Sequence, residues 1–177
     1  MGARKPSESG LYFQWGDTKG YAKGQIGTGK GKKNFYWNDY KWNPSGDGET
    51  FTKYTTIGAT LELEDDAAHV NMGGDWHMPT VKQINELINN TTHKSAAIDD
   101  VSGVMLTSKK DKSKSIFFPE TGEAWNGSID FSESIGAVWS SMLSLDFVDS
   151  GRYFDISSIL GDGFARCGGA SIRGVIG

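Results

Sequence analysis

An α+β fold, with two helices packed on short and mostly antiparallel strands, is predicted by three observations. Apolar residues at helical spacing occur in two stretches, on either side of Gly73-Gly74-Asp75-Trp76-His77-Met78-Pro79-Thr80. Elsewhere short alternating or apolar runs are punctuated by turn residues, with 24 glycines against four prolines. The one cysteine, Cys167, excludes an intrachain disulfide, so the 177 residues are expected to hold together by packing, a length that suffices for one self-sufficient core.

Taken in order, Met1–Gly10 lacks the apolar core of a signal peptide, and residues 1–10 read as a leader or boundary segment, leaving 11–177 as a single domain. Leu11–Gln14 with Trp15 predicts a first strand. Between Leu11 and Tyr54 stand eleven of the 21 aromatic residues, interleaved with glycine and lysine. That density fits either a sugar-stacking platform of Trp37, Tyr40 and Trp42 or the core of a loop-rich, disulfide-free region. Leu63, Ala67 and Val70 at i, i+4 and i+7 predict a helix with one apolar face and Glu64, Asp65 and Asp66 in its first turn. Gly73-Gly74 stops it. Thr80 with Gln83 forms a capping box for a second helix, whose buried stripe is Val81, Ile84, Leu87 and Ile88.

Asn90–Asp100 reads as a polar loop. Val104–Ser108 and Ser115–Phe118 read as neighbouring strands joined by the charged turn Lys109–Lys114, and Asn126-Gly127 as a hairpin turn. Val138-Trp139-Ser140-Ser141 returns as a strand. In Arg152–Ser157, Phe154 and Ile156 point to the core while Tyr153, Asp155 and Ser157 point away. Ser158–Cys167 mixes apolar and charged residues in a glycine-rich segment, and Ala170, Ile172 and Val175-Ile176 read as the closing strand.

An acidic helix, the Gly-Gly-x-Trp-x-x-Pro-Thr turn, a second helix, and short strands ending in Trp139-Ser140-Ser141 and Gly169-Ala170-Ser171-Ile172-Arg173 resemble the C-type lectin-like fold. The resemblance is to its bacterial and phage branch, including the variable proteins of diversity-generating retroelements, and covers roughly 11–177. It implies a C-type lectin-like domain with a variable C-terminal region at about 138–173, displayed on a phage tail fibre or as a bacterial surface adhesin. Trp37-Asn38-Asp39 echoes a tripeptide that sugar-binding members use for calcium. It lies ahead of both helices, and the companion Glu-Pro-Asn type triplet is missing, so no metal site is expected.

Composition narrows the functional classes. A net charge of −4 argues against a nucleic-acid partner. No apolar run approaches the roughly 20 residues that span a bilayer, so no membrane insertion is expected. Gly24, four residues and Gly29-Lys30 nearly spell a phosphate-binding loop, but Gly31 stands where Ser or Thr would hold a metal. The formylglycine-generating enzyme, a relative within this fold class, relies on paired cysteines, whereas Cys167 stands alone. His69, His77 and His93 fall on or beside the helices without zinc-ligand spacing or a relay partner. Neither catalysis nor a cofactor is expected.

A composition break lies near Asn126. Lysine, asparagine and threonine total 34 in the first 126 residues, and in proportion about 14 would fall in the final 51, where there are none. Ten serines, five aspartates and three of the four arginines stand there instead. The codons of all three missing residues begin with adenine, and the retroelement resemblance implies replacement at adenines in this part of the gene. Tyrosine, serine, glycine and aspartate on a rigid scaffold are the ingredients of adaptable binding surfaces.

The expectation is therefore a non-catalytic receptor-binding protein taking a protein or glycan on a cell surface. Phe147, Asp149, Arg152, Tyr153, Asp155, Ser157, Ile159, Leu160, Asp162, Phe164, Arg166 and Cys167 are expected to line one exposed face. Trp139, Ser140, Ser141, Phe154, Ile156, Ser171 and Arg173 are expected as framework. An invariant structural or carbohydrate-binding module of a larger fibre, through which it could oligomerise, is the alternative, followed by a formylglycine-generating-type oxidase.

Overall fold

The computed structural model describes residues 1–131, 136–157 and 159–177, the side chain of Ile159 excepted. The fold is α+β, and among the described residues it has two α-helices, α1 (Ala67–Met72) and α2 (Val81–Asn90), and eight strands: β1 (Thr91–Ile98), β2 (Val101–Ser108), β3 (Ser115–Pro119), β4 (Glu123–Trp125), β5 (Ser128–Asp130), β6 (Ala137–Leu143), β7 (Ser150–Asp155) and β8 (Ile159–Ala165). These form three antiparallel sheets, β1-β2-β3, β4-β5 and β6-β7-β8. The one cysteine is free, so no disulfide supports them.

The first helix is shorter than its apolar spacing predicts. Asp66 caps α1 by accepting from the His69 N–H, and the residues before it make a single 3-10 turn, Leu63–Asp65. Ala67 and Ala68 form its buried face, whereas Leu63 is 59% and Val70 50% exposed. Asp66 explains the displacement, because the same carboxylate also takes the Met78 N–H at 2.8 and 3.0 Å, which pins the start of α1 to the turn that leads into α2. Gly73 ends α1 at φ +73°, and Gly74 follows at φ +57°. Thr80 and Gln83 form the expected capping box, and Ile84 is the buried centre of the α2 stripe.

Two β-hairpins turn on residue pairs with positive φ, as two-residue loops of the favoured hand require. Asn126-Gly127 joins β4 to β5 as expected. Asp99-Asp100 joins β1 to β2, so the expected polar loop at Asn90–Asp100 is instead mostly a strand. None of the residues of β1 is buried, and backbone pairing with β2 over eight residues is what orders it.

β6 separates two cores. Trp139 faces a cluster with Phe13, Trp15, Tyr40, Trp42, Met78 and Ile172, while its neighbour Val138 faces Ile84, Leu106, Phe118, Phe154 and Ile156. The Trp139 indole donates to the Phe13 carbonyl at 2.7 Å and the Trp15 indole to the Ser140 carbonyl at 3.0 Å, so each tryptophan ties its own segment to the other's. The predicted first and closing strands are extended segments that touch through single bridges, Phe13 with Ala170, Val138 with Ser171 and His77 with Val175.

Candidate ligand-binding face

β7 lies between β6 and β8, so its two faces organise the C-terminal region. Directly opposed residues of antiparallel strands share a face. Trp139, Tyr153 and Gly161 are opposed on one face, and Val138, Phe154 and Leu160 on the other, with Arg152 opposite Asp162 on that second side. The register skips Gly163, which sets Phe164 opposite Gly151 and brings its ring onto Trp139, with centroids 4.9 Å apart and planes 21° from parallel.

The twelve expected contact residues therefore do not share one face. Tyr153 and Phe164 lie on the Trp139 side. Leu160 packs against the α2 core, and Arg152 and Asp162 stand on that same second side. Arg152 Nε and Asp162 Oδ1 are buried 3.7 Å apart, and neither has a hydrogen-bond partner. Phe147, on the β6–β7 connection, is 58% exposed, and Ser157 beyond β7 is exposed. Asp149 is half-buried and takes the Ser150 hydroxyl. Asp155 is buried and accepts the Ser157 N–H. The backbone of Ile159 begins β8, but its side chain, like the whole of Ser158, lies outside the described residues.

Arg166 and Cys167 are corrections of a stronger kind, since both are 0% exposed. The Arg166 guanidinium donates to the Tyr40 hydroxyl at 2.8 Å and to the carbonyls of Lys53, Tyr54 and Val148 at 2.9 to 3.1 Å, and its carbon lies 4.3 Å from the Phe51 ring centre. A buried cation is tolerated when its donors are met, and here carbonyls and ring faces meet them. Burial pushes the Cys167 thiol far above its ordinary pKa, which keeps it protonated. Most of the expected framework is buried: Trp139, Ser140, Ser141, Phe154, Ile156 and Ser171. Arg173 is half-buried, with its guanidinium 4.9 Å from the Phe118 ring.

A cleft of about 320 Å³ opens between the β4–β5 hairpin and the Trp139 side of β7 and β8. Trp125, Tyr153 and Phe164 supply its rings, and Glu123 and Asp130, directly opposed across the hairpin, supply its carboxylates. Each ring is held from behind. Trp125 meets Tyr36 edge to face at 5.2 Å, and Phe164 is pinned by Trp139. Tyr153 lies across Gly161 so closely that a Cβ there would overlap its ring. The hairpin residues are absent from the sequence-based set. Asn126-Gly127 shows that Glu123 and Trp125 share a face, but not what that face meets.

The remaining clusters have structural roles. Tyr40 and Trp42 are core, and Trp37 packs against that core, which answers the aromatic density of 11–54. Asp39 accepts the N–H groups of Asn34, Phe35 and Tyr36 and the Gln14 amide. Glu62, Glu64 and Asp65 converge within 4.8 Å, and the Lys53 ammonium sits among them at 2.6 to 3.0 Å. His93 stands on β1 rather than beside a helix, its Nε2 2.8 Å from the Thr91 hydroxyl. His69 and His77 each face a backbone carbonyl in the turn between the helices, those of Trp76 and Asp75. Set against protein-family models, curated proteins and solved structures, the chain matches none of them.

Proposed function

We propose that this chain is a non-catalytic receptor-binding domain of the C-type lectin-like type, similar to the variable proteins of diversity-generating retroelements and displayed on a phage tail fibre or bacterial surface. The observation that carries the reading is the cleft between the β4–β5 hairpin and β7–β8, three fixed rings beside two carboxylates. Rigid aromatic groups give contact area at little entropic cost, and a ladder-held backbone beneath them tolerates exchange of side chains. The composition break adds support. Lysine, asparagine and threonine vanish from Gly127 onward, so β5, β7 and β8 lie in the altered segment while β4 lies just before it. The contact set is thereby narrowed to Trp125, Asp130, Tyr153 and Phe164, with Phe147 and Ser157 as exposed neighbours on the connections at either end of β7.

The test is a binding screen against arrayed bacterial surface proteins and glycans, followed by substitution. Tyr153→Ala and Trp125→Ala are expected to weaken capture of the bound receptor at least about tenfold while the unfolding midpoint stays within a few degrees, because interface energy concentrates in buried rings. Ile116→Ala, on β3, serves as the surface control. Capture unchanged by both cleft substitutions would remove the reading.

A further inference from the structure

We infer that the groove between α2 and β3 binds an aliphatic carboxylate such as a free fatty acid, with the head group on Arg173 and the chain along the apolar wall. The groove lies on the Val138 and Phe154 side of the β6-β7-β8 sheet, opposite the cleft, so it stands or falls independently of receptor binding there.

The groove has a volume of about 820 Å³. Ile84 and Leu87 of α2, Ile116 and Phe118 of β3, and Val138 and Phe154 of the central sheet make its wall. Ile116 is exposed there, as is Ile176 of the closing segment. Covering such side chains with hydrocarbon instead of water is favourable. Small-molecule sites measure about 300–1,000 Å³ and join an apolar wall to a few polar groups that orient the ligand.

Arg173 is such a group. It is half-buried, its guanidinium lies 4.9 Å from the Phe118 ring centre, and it donates once, to the Phe117 carbonyl at 3.1 Å. Among the described residues no carboxylate, that of Gly177 included, comes within 4 Å of it. The other two arginines of the C-terminal segment differ, since Arg166 makes four hydrogen bonds and Arg152 has Asp162 3.7 Å away. Burial lowers the Arg173 pKa from its ordinary 12.5, and no acidic neighbour offsets this. The other charged side chains of the groove, Glu86 and Lys110, are exposed and opposite in sign. A ligand carboxylate would take the remaining N–H groups of the planar fork. An extended peptide fits less well, because each of its residues brings an N–H and a C=O that this wall of hydrocarbon cannot pair.

Amide-detected NMR titration of the whole chain, below micellar concentrations, tests this. The head-group series is octanoate, octan-1-ol and octyltrimethylammonium; the chain series is acetate, octanoate and dodecanoate; the peptide comparator is N-acetyl-trileucine. Octanoate is expected to move the amides of Leu87, Ile116, Phe118 and Gly174 and to bind at least about fivefold more tightly than octan-1-ol, through its charge-assisted hydrogen bonds. Dodecanoate should bind at least about tenfold more tightly than octanoate, since four further methylenes leave water, and acetate should not register. Arg173→Met is expected to remove the preference for octanoate over octan-1-ol. Ile116→Glu, a change at an exposed position, is expected to weaken dodecanoate about tenfold by placing a like charge in the groove, with unchanged amides in the β4–β5 hairpin showing that the fold is retained.

Equal binding of octan-1-ol or octyltrimethylammonium by the wild type would overturn the inference, as would shifts scattered away from the groove or no shift with dodecanoate. Tighter binding of N-acetyl-trileucine than of dodecanoate would overturn it in favour of a peptide partner. None of these outcomes touches the cleft, whose test is receptor capture by the Tyr153→Ala and Trp125→Ala variants.

Discussion

Residues 11–54 and the β6-β7-β8 sheet are opposite in construction. The first has no regular strand or α-helix, only single 3-10 turns at Lys23–Gln25 and Trp37–Asp39 and isolated bridges. Its polar backbone is met by particular side chains: Asp39 takes three successive N–H groups, Lys33 donates to Gln14 and to the Asp39 carbonyl, and Asp47 gathers the turn at Glu49 and Thr50. The sheet meets its backbone groups through ladders instead, so the identity of an outward side chain there does not decide whether the strand forms. Order that depends on individual side chains cannot vary in sequence, whereas order that depends on the ladder can. That contrast is the physical ground on which recognition is proposed for the C-terminal segment.

The hardest test of the contrast is Arg166, which lies just after β8 yet serves the irregular region. Replacing it with methionine keeps the bulk and leaves the Lys53, Tyr54 and Val148 carbonyls and the Tyr40 hydroxyl without their donor. A loss of about 3–5 kcal/mol in urea unfolding is expected, in the range for breaking a buried charged network. Arg166→Lys is expected to recover only part of it, because an ammonium lacks the planar fork. A loss below about 1 kcal/mol would show that the rings and loops of 11–54 hold themselves.

Arg166 also marks where the sequence stops being readable. Signals that act within a few residues were legible: the Thr80–Gln83 box, the Gly73 stop, the Asn126-Gly127 turn and the inward pair Phe154 and Ile156. Arg166 looks like a surface residue because its partners stand more than 100 positions earlier, apart from Val148. The α1 stripe failed because Asp66 serves two turns at once, and β1 was missed because all of its order comes from pairing with β2. The cleft was half legible. Alternation gave Tyr153 its direction, but the register irregularity near Gly151 and Arg152 and the skipped Gly163 set which of Asp162 and Phe164 accompanies it.

A smaller effect separates side-chain exchange from backbone change inside the sheet. Gly161→Ala places a methyl group where the Tyr153 ring lies, and the ring is the movable partner. The expected cost is about 1–2 kcal/mol, the lower range for overpacking, measured by thermal unfolding. Receptor capture is expected to fall as far as with Tyr153→Ala, since the ring no longer faces the cleft. Retained capture would mean that the Tyr153 ring position is not part of recognition.

The smallest effect reads the irregular region through pH. Donation to Asp47 from the Thr50 N–H, then from the Glu49 N–H and the Asn43 and Thr50 side chains, holds its carboxyl well below the ordinary value of 3.8. A carboxylate whose folded pKa is depressed contributes stability that is fully present above its unfolded pKa and is lost as pH falls toward the folded one. Wild type should therefore exceed Asp47→Asn in stability at about pH 5, and the gap should narrow steadily toward about pH 2.5 in parallel urea titrations. The same comparison for Ser157→Ala, at the open end of β7, should show no pH-dependent gap, because that side chain carries no charge. An Asp47 gap that stays constant across this range would mean that its turn is held by the backbone alone, and the distinction between the two regions would then disappear at this loop.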